Sequence, residues 1–248
     1  MKRQIKAAFL LMLAGIAHCN TALAQDKFTV SGRADFVSNY VWRGSDQNSG
    51  FSVQPYLTLG YKGFSLTANG SQSLTHAHDG AQEFDLTLGY SWKGLTVSVS
   101  DYWWNGMAAA YGHYTNGHHF EGTVAYSFND LCHLPLWLSW STWFAGEDNY
   151  RVADSGAMKR AYSTYICAGY DIALPAEITL TPSIGFTPWE GVYYKKAAFT
   201  DISLKASKTI ALSDHVNLPL FVQAIVAPHD SAKGVDKTYM VAGFGFSF

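Results

Sequence analysis

Between Lys237 and Phe248 the chain reads KTYMVAGFGFSF. Counting back by twos from the end gives Phe248, Phe246, Phe244, Ala242 and Met240, all apolar. The opposite phase holds Ser247, Gly245, Gly243, Val241 and Tyr239, most of them small or polar. A period of two is the signature of a β-strand, and the contrast between its faces means that they meet different surroundings. This segment predicts the closing strand of a β-barrel with a greasy exterior, provided that the rest of the chain supplies the other strands.

It supplies eleven more. The first expected strand is long, Lys27–Arg43, with Phe28, Val30, Ala34, Phe36, Tyr40 and Trp42 on one face. Its other face carries Thr29, Ser31, Arg33, Asp35, Asn39 and Arg43, charges that a dry core does not take without partners. Strands follow over Phe51–Tyr61, Phe64–Ser73, about Glu83–Trp92 and Leu95–Trp104. Lys62-Gly63 and Lys93-Gly94 read as tight hairpin turns. Asp101 falls on the apolar phase, which predicts a bulge or an emerging strand end. The next strands run about His119–Phe128, Leu136–Phe144, Arg160–Ile172, Glu177–Pro188, Ala198–Leu212 and Val216–Pro228. The expected count is even, and connections alternate between short and longer, more polar ones. That is the loop pattern of a transmembrane barrel with both termini on the short-turn side.

Aromatic residues mark both ends of the strands. Tyr61, Tyr90, Trp92, Tyr126, Phe128, Tyr170 and Phe248 gather at the short-turn end; Trp42, Phe51, Trp103, Phe120, Phe144 and Tyr162 gather at the other. Amphipathic rings favour the headgroup level of a bilayer. A secreted β-sandwich also alternates, but it accounts for neither the loop lengths nor the two aromatic girdles.

The N-terminus fits export. Lys2, Arg3 and Lys6 precede the apolar run Ala7–Ala17, and Ala22-Leu23-Ala24 is a small-x-small cleavage site. Cys19 raises a lipid anchor, but His18 directly before it suits one poorly. Residues 1–24 are therefore expected to be a cleavable signal peptide, and 25–248 a 12-stranded antiparallel up-and-down transmembrane β-barrel. Losing the signal removes three bases and no acid, which makes the chain more acidic than its overall −2 and argues against a nucleic-acid partner. Charged residues make up only 15% of the chain, against about a quarter in an average soluble protein. An oxidising envelope permits a bridge between Cys132 and Cys167, but their mismatched heights favour two unpaired thiols.

One stretch carries a family likeness. Ser38-Asn39-Tyr40-Val41-Trp42-Arg43-Gly44, then Phe51-Ser52-Val53-Gln54-Pro55 and Tyr61-Lys62-Gly63-Phe64, resembles the opening of the TorF-type family of bacterial envelope proteins, regarded as porins. The resemblance covers about two strands and the following turn. It implies an outer-membrane barrel with a pore, and brings no substrate and no functional residues.

The polar phases nominate the lumen. Arg33, Asp35, Arg43, Glu83, Asp85, His119, Glu121, Asp201 and Lys205 point inward, as do the aromatics Tyr56, Tyr102, Trp104, Trp137, Trp143 and Tyr165. Two arrangements satisfy them: rings of charge and stacking surfaces that select solutes, or pairs and packed rings that fill the bore. Twelve strands lie between side-chain-filled and open barrels, so diameter does not choose. His76, His78 and Asp79 in one loop, with His113 and His118 in the next, have zinc-compatible donors, though H-x-H arises readily by chance and no metal site is assigned. His119 and Glu121 share a face, but no serine is tied to them as a nucleophile, so the expectation is no enzyme and no cofactor. The expected role is passage of small polar solutes through a narrow pore; the alternative is a plugged structural or ligand-binding barrel. Its surroundings would be outer-membrane lipid and, during insertion, the barrel-assembly machinery, with termini in the periplasm.

Overall fold

The computed structural model describes residues 27–47, 49–75, 82–104, 111–114, 117–146, 150–152, 157–228 and 237–248. The expected signal segment, and His76, His78 and Asp79, lie outside the described residues.

The wall is built from β1 (Thr29–Val37), β4 (Ser52–Tyr61), β5 (Phe64–Ser73), β6 (Gln82–Trp92), β7 (Leu95–Trp104), β8 (His118–Ser127) and β9 (Leu136–Gly146). It continues through β12 (Thr164–Tyr170), β13 (Ile172–Leu174), β14 (Ile178–Thr187), β15 (Ala198–Ala211), β16 (Asn217–Ala227) and β17 (Lys237–Ser247). β12 and β13 are two halves of one strand interrupted at Asp171, both antiparallel to β14. The result is a closed 12-stranded antiparallel barrel. Closure is made by β1, where Ala34 lies opposite Pro55 of β4 and Phe246 of β17. Among the described residues no strand edge of this wall is left open, so its amides pair strand to strand without water. A sandwich is excluded.

Cross-strand rows show why the two faces separate. One row runs Val30, Leu59, Leu66, Leu88, Val99 around five strands, and all face outward. The neighbouring row runs Ser31, Thr58, Thr67, Thr87, Ser100, Glu121 and faces inward. Leu88 is 58% exposed, whereas Ser100 is 2% exposed. A barrel with this polarity is dry outside and polar inside, the reverse of a soluble fold.

Short turns obey local chemistry. Lys62 and Gly63, and again Lys93 and Gly94, have positive φ at both central positions, which matches the twist of the strands they join. The expected turn at Asn129–Leu134 contains a one-turn helix, α1 (Asn129–Cys132), ended by His133 at φ 56°. The start of β1 and Phe248 lie at this short-turn end: Thr29 is opposite Gly60, and Phe248 exchanges two backbone hydrogen bonds with Gly32. Cys132 is exposed, Cys167 is buried, and both are free thiols.

Four expectations are corrected. The first strand stops at Val37 rather than Arg43, because the chain reverses at Arg43 and Gly44, both at positive φ. It forms a separate hairpin, β2 (Val41–Trp42) with β3 (Ser45–Asp46). Trp42 therefore leaves the girdle and is buried inside. Asp101 causes no bulge: it pairs in continuous register with Phe120, and the irregularity falls between Phe120 and Glu121 against β9. The eighth wall strand starts at Thr164, since Arg160 belongs to an outer hairpin of β10 (Tyr150–Val152) with β11 (Met158–Arg160) and Tyr162 turns the chain at φ 51°.

Candidate functional site

The inward row of hydroxyls is a paired lining. Thr58 meets Thr67 at 2.9 Å, Thr87 meets Ser100 at 2.9 Å, Thr123 meets Ser141 at 2.9 Å and Ser183 meets Ser203 at 2.8 Å. Each pair is directly opposite in the sheet register, where Cβ atoms are close enough for two short side chains to touch. Each hydroxyl keeps spare hydrogen-bonding capacity beyond its partner. Such a lining is polar without committing a charge.

Towards the long-loop end the lining changes character. The β2–β3 hairpin folds from the mouth into the lumen. Its tip is close enough to β15 that a side chain at Gly44 would strike the Thr200 carbonyl. Its root is fastened where the Tyr40 amide donates to Ser49 Oγ at 2.9 Å and the Gln47 amide to the Tyr40 carbonyl at 2.9 Å. Trp42 packs on Tyr102, Trp104, Trp143 and Tyr193, with centroids 6.1, 6.0, 6.2 and 5.8 Å away.

Arg43 carries the hairpin's charge into this cluster. Its guanidinium donates to both carboxylate oxygens of Glu121, at 2.6 and 2.8 Å, and to the Tyr193 hydroxyl. The same group lies over the rings of Trp42, Tyr165 and Tyr193, with its carbon 4.5, 4.6 and 5.3 Å from their centroids. Tyr102 donates to Glu121 at 3.0 Å. Glu121 is fully buried. Planar, bidentate pairing is the strong form of an ion pair, and its burial requires that strength.

The other nominated residues fall into smaller sets. Arg33 and Asp35 on β1 pair at 2.6 Å. Glu83 lies opposite Trp104 in register and beside Tyr40 and Asp85, and Asp85 accepts from Asn69 at 2.7 Å. Asp201 accepts from Tyr165 at 3.0 Å and from Thr200 at 2.9 Å. Lys205 sits over Phe221, 4.8 Å from its centroid. His119 lies against Trp143 and Trp104, with ring centroids 4.6 and 5.0 Å apart. Trp137 is buried over Gly169, where a larger residue has no room. Tyr56 faces Asn69 and Arg33 in register. Arg33, Tyr56 and Trp104 are half-buried; the rest of the nominated set is buried.

The structure thus unites Arg43, Glu121, Tyr102 and Tyr165 in one cluster, with His119 at its edge, and leaves Arg33, Asp35 and Lys205 apart from it. Sequence reasoning missed Tyr193, which reaches the cluster from the segment joining β14 to β15, and Asp171, which accepts from Thr181 at 2.6 Å. Tyr193 lies in a connection with no period, whereas Asp171 continues the inward phase of Tyr165, Cys167 and Gly169 and was legible in the alternation. His118, read as a loop residue, begins β8 and holds Asp101 at 2.7 Å.

No family model matches the chain, and no curated protein does. Solved structures do. A NanC porin superposes with a TM-score of 0.55 at 11% identity, covering 89% of this chain and 99% of that one. The fold is that of outer-membrane porins. A KdgM porin gives a TM-score of 0.47 at 8% identity, with 88% and 98% covered. At such identities the porin fold is what is shared, and the lining described above belongs to this chain.

Proposed function

We propose that this protein is a porin-like channel giving small polar solutes a narrow passage across the outer membrane. The observation that carries the reading is the contrast between the paired hydroxyl lining inside and the apolar rows outside. Water and polar solutes gain hydrogen bonds along that lining, and lipid covers the other face. We place the short-turn end, with the start of β1 and the end of β17, in the periplasm, and assign residues 1–24 to export. The TorF-type likeness of the first strands agrees with this reading, under which the barrel-assembly machinery inserts the chain. Transport is the whole of the assignment: Glu121, the acid beside His119, is occupied by Arg43 and Tyr102.

The test is a planar-bilayer recording of the refolded protein, with liposome swelling in neutral sugars of increasing size. Discrete unitary currents and swelling limited to small sugars are expected. Silence in both sinks the channel. A specific observation favours a second reading, a plugged barrel: the aromatic cluster and ion pair span the mouth. That reading requires a silent wild type, and currents once Val41–Asp46 are replaced by glycine and serine.

A further inference from the structure

We infer that the Glu121 cluster is a binding site for an organic cation, a guanidinium or substituted ammonium solute, and that Arg43 is its built-in occupant. The inference rests on the channel reading and names the class of solute that the mouth selects.

Arg43 is held as a ligand is held. Two carboxylate oxygens meet its two terminal nitrogens, a tyrosine hydroxyl receives one of them, and rings cover its faces. That is the recognition chemistry of a planar cation: bidentate hydrogen bonds in the plane and π-faces above and below it. Yet Arg43 is not part of the wall. It comes from a hairpin of two residue pairs at the mouth, whereas Glu121 is on β8, Tyr102 on β7, Trp143 on β9, Tyr165 on β12 and Tyr193 on the β14–β15 segment. If the hairpin lifts, Arg43 and Trp42 go with it and the rest of the cage stays.

What stays is a carboxylate that the hairpin buries fully while it is in place, with Tyr102 bonded to it at 3.0 Å and aromatic rings around it. A buried carboxylate without a counter-charge is strongly disfavoured, so the vacated cage favours a cation over water or a neutral solute. The interior adds to this preference. Beyond the pairs Arg43–Glu121 and Arg33–Asp35, the buried carboxylates among the described residues are Glu83, Asp85, Asp171 and Asp201, against Lys205 and the imidazoles of His118 and His119. The field along the path draws cations in and turns anions away. A solute bearing a guanidinium exchanges with Arg43 one for one: it takes the bonds to Glu121 as Arg43 returns to water, and nothing buried is left unpaired.

The experiment removes the occupant and supplies a free one. R43A in planar bilayers is titrated with methylguanidinium and arginine amide at constant ionic strength, alongside a tryptophan-fluorescence titration in detergent. Both probes should block R43A current and quench its fluorescence at least tenfold more tightly than they act on R43A/E121Q. Wild type, whose cage is filled, should respond at least tenfold more weakly than R43A. Equal responses of R43A and R43A/E121Q, or block by acetate and glutarate instead, overturn the assignment. Absence of current in every variant, with Glu121-dependent quenching intact, sinks the channel reading and spares the site; current without Glu121-dependent probe binding does the reverse. Should R43A refold poorly, arginine amide must raise its yield of heat-modifiable barrel above that of R43A/E121Q, and no difference between them overturns the inference as well.

Discussion

Asp101 is the residue whose sequence position most misleads. It interrupts the outward apolar phase of β7, and a lone carboxylate facing lipid is costly. The structure resolves the conflict locally rather than by distorting the strand. His118 Nδ1 lies 2.7 Å from Asp101, and Tyr111 and Tyr114 cover His118 with centroids 5.2 and 4.1 Å away. The alternation exposed the anomaly but not its remedy, because the cover comes from a connection with no period. His118→Ala should lower the unfolding free energy by roughly 1.5–3 kcal/mol, the worth of a hydrogen bond to a charged group. The double variant D101L/H118L should recover most of that loss, since an apolar pair leaves nothing unsatisfied. Urea unfolding in lipid vesicles checks both; a double variant no more stable than H118A contradicts the account.

At the scale of elements, the wall strands were legible and the mouth hairpin was not. Phe64–Ser73 and Leu95–Trp104 coincide with their expected bounds, because each has one apolar and one polar phase between tight turns. Residues 40–43 continue the same alternation past Val37, so period alone cannot tell a wall strand from a hairpin that leaves the wall. The distinguishing signal is weak: Gly44 follows Arg43 in a polar stretch, where the turn requires positive φ, 50° and 80°, at both residues. Gly44→Val puts a β-branched side chain at φ 80° against the Thr200 carbonyl, a strain of order 1–3 kcal/mol. Lifting the hairpin relieves it, so the expected result is a larger unitary conductance with barrel stability nearly intact. Glu121→Gln acts on the same element from the wall. Breaking a buried pair costs roughly 3–5 kcal/mol if the partner stays buried. Arg43 has a cheaper course, which is to leave. Trypsin added to the loop side should then cut after Arg43 in E121Q and spare it in wild type; equal resistance means the hairpin does not depend on the ion pair.

For the molecule as a whole, strand number, parity and the sign of each face were readable because they repeat along the chain. The lumen cluster was not, since its contacts join residues 78 and 150 positions apart that no local pattern links. The part that was readable makes the strictest demand on the surroundings. Leu88 lies near the middle of β6, within the row Leu59, Leu66, Leu88, Val99, and is 58% exposed. In a soluble protein, replacing an exposed leucine by arginine changes stability within about 0.5 kcal/mol. On the lipid face of a barrel the same change costs roughly 2–4 kcal/mol near the midplane and falls to about 0–1 kcal/mol near the interface. Leu212, at the short-turn end after β15, is 53% exposed and so matches Leu88 in exposure while differing in depth. Leu88→Arg should therefore destabilise the vesicle-embedded barrel by at least about 1 kcal/mol more than Leu212→Arg, given that depth dependence. In detergent micelles, which adapt to the charge, the gap should shrink. Equal costs at the two sites would mean that the apolar rows do not face hydrocarbon, and the inside-out polarity on which a channel depends would be lost with them.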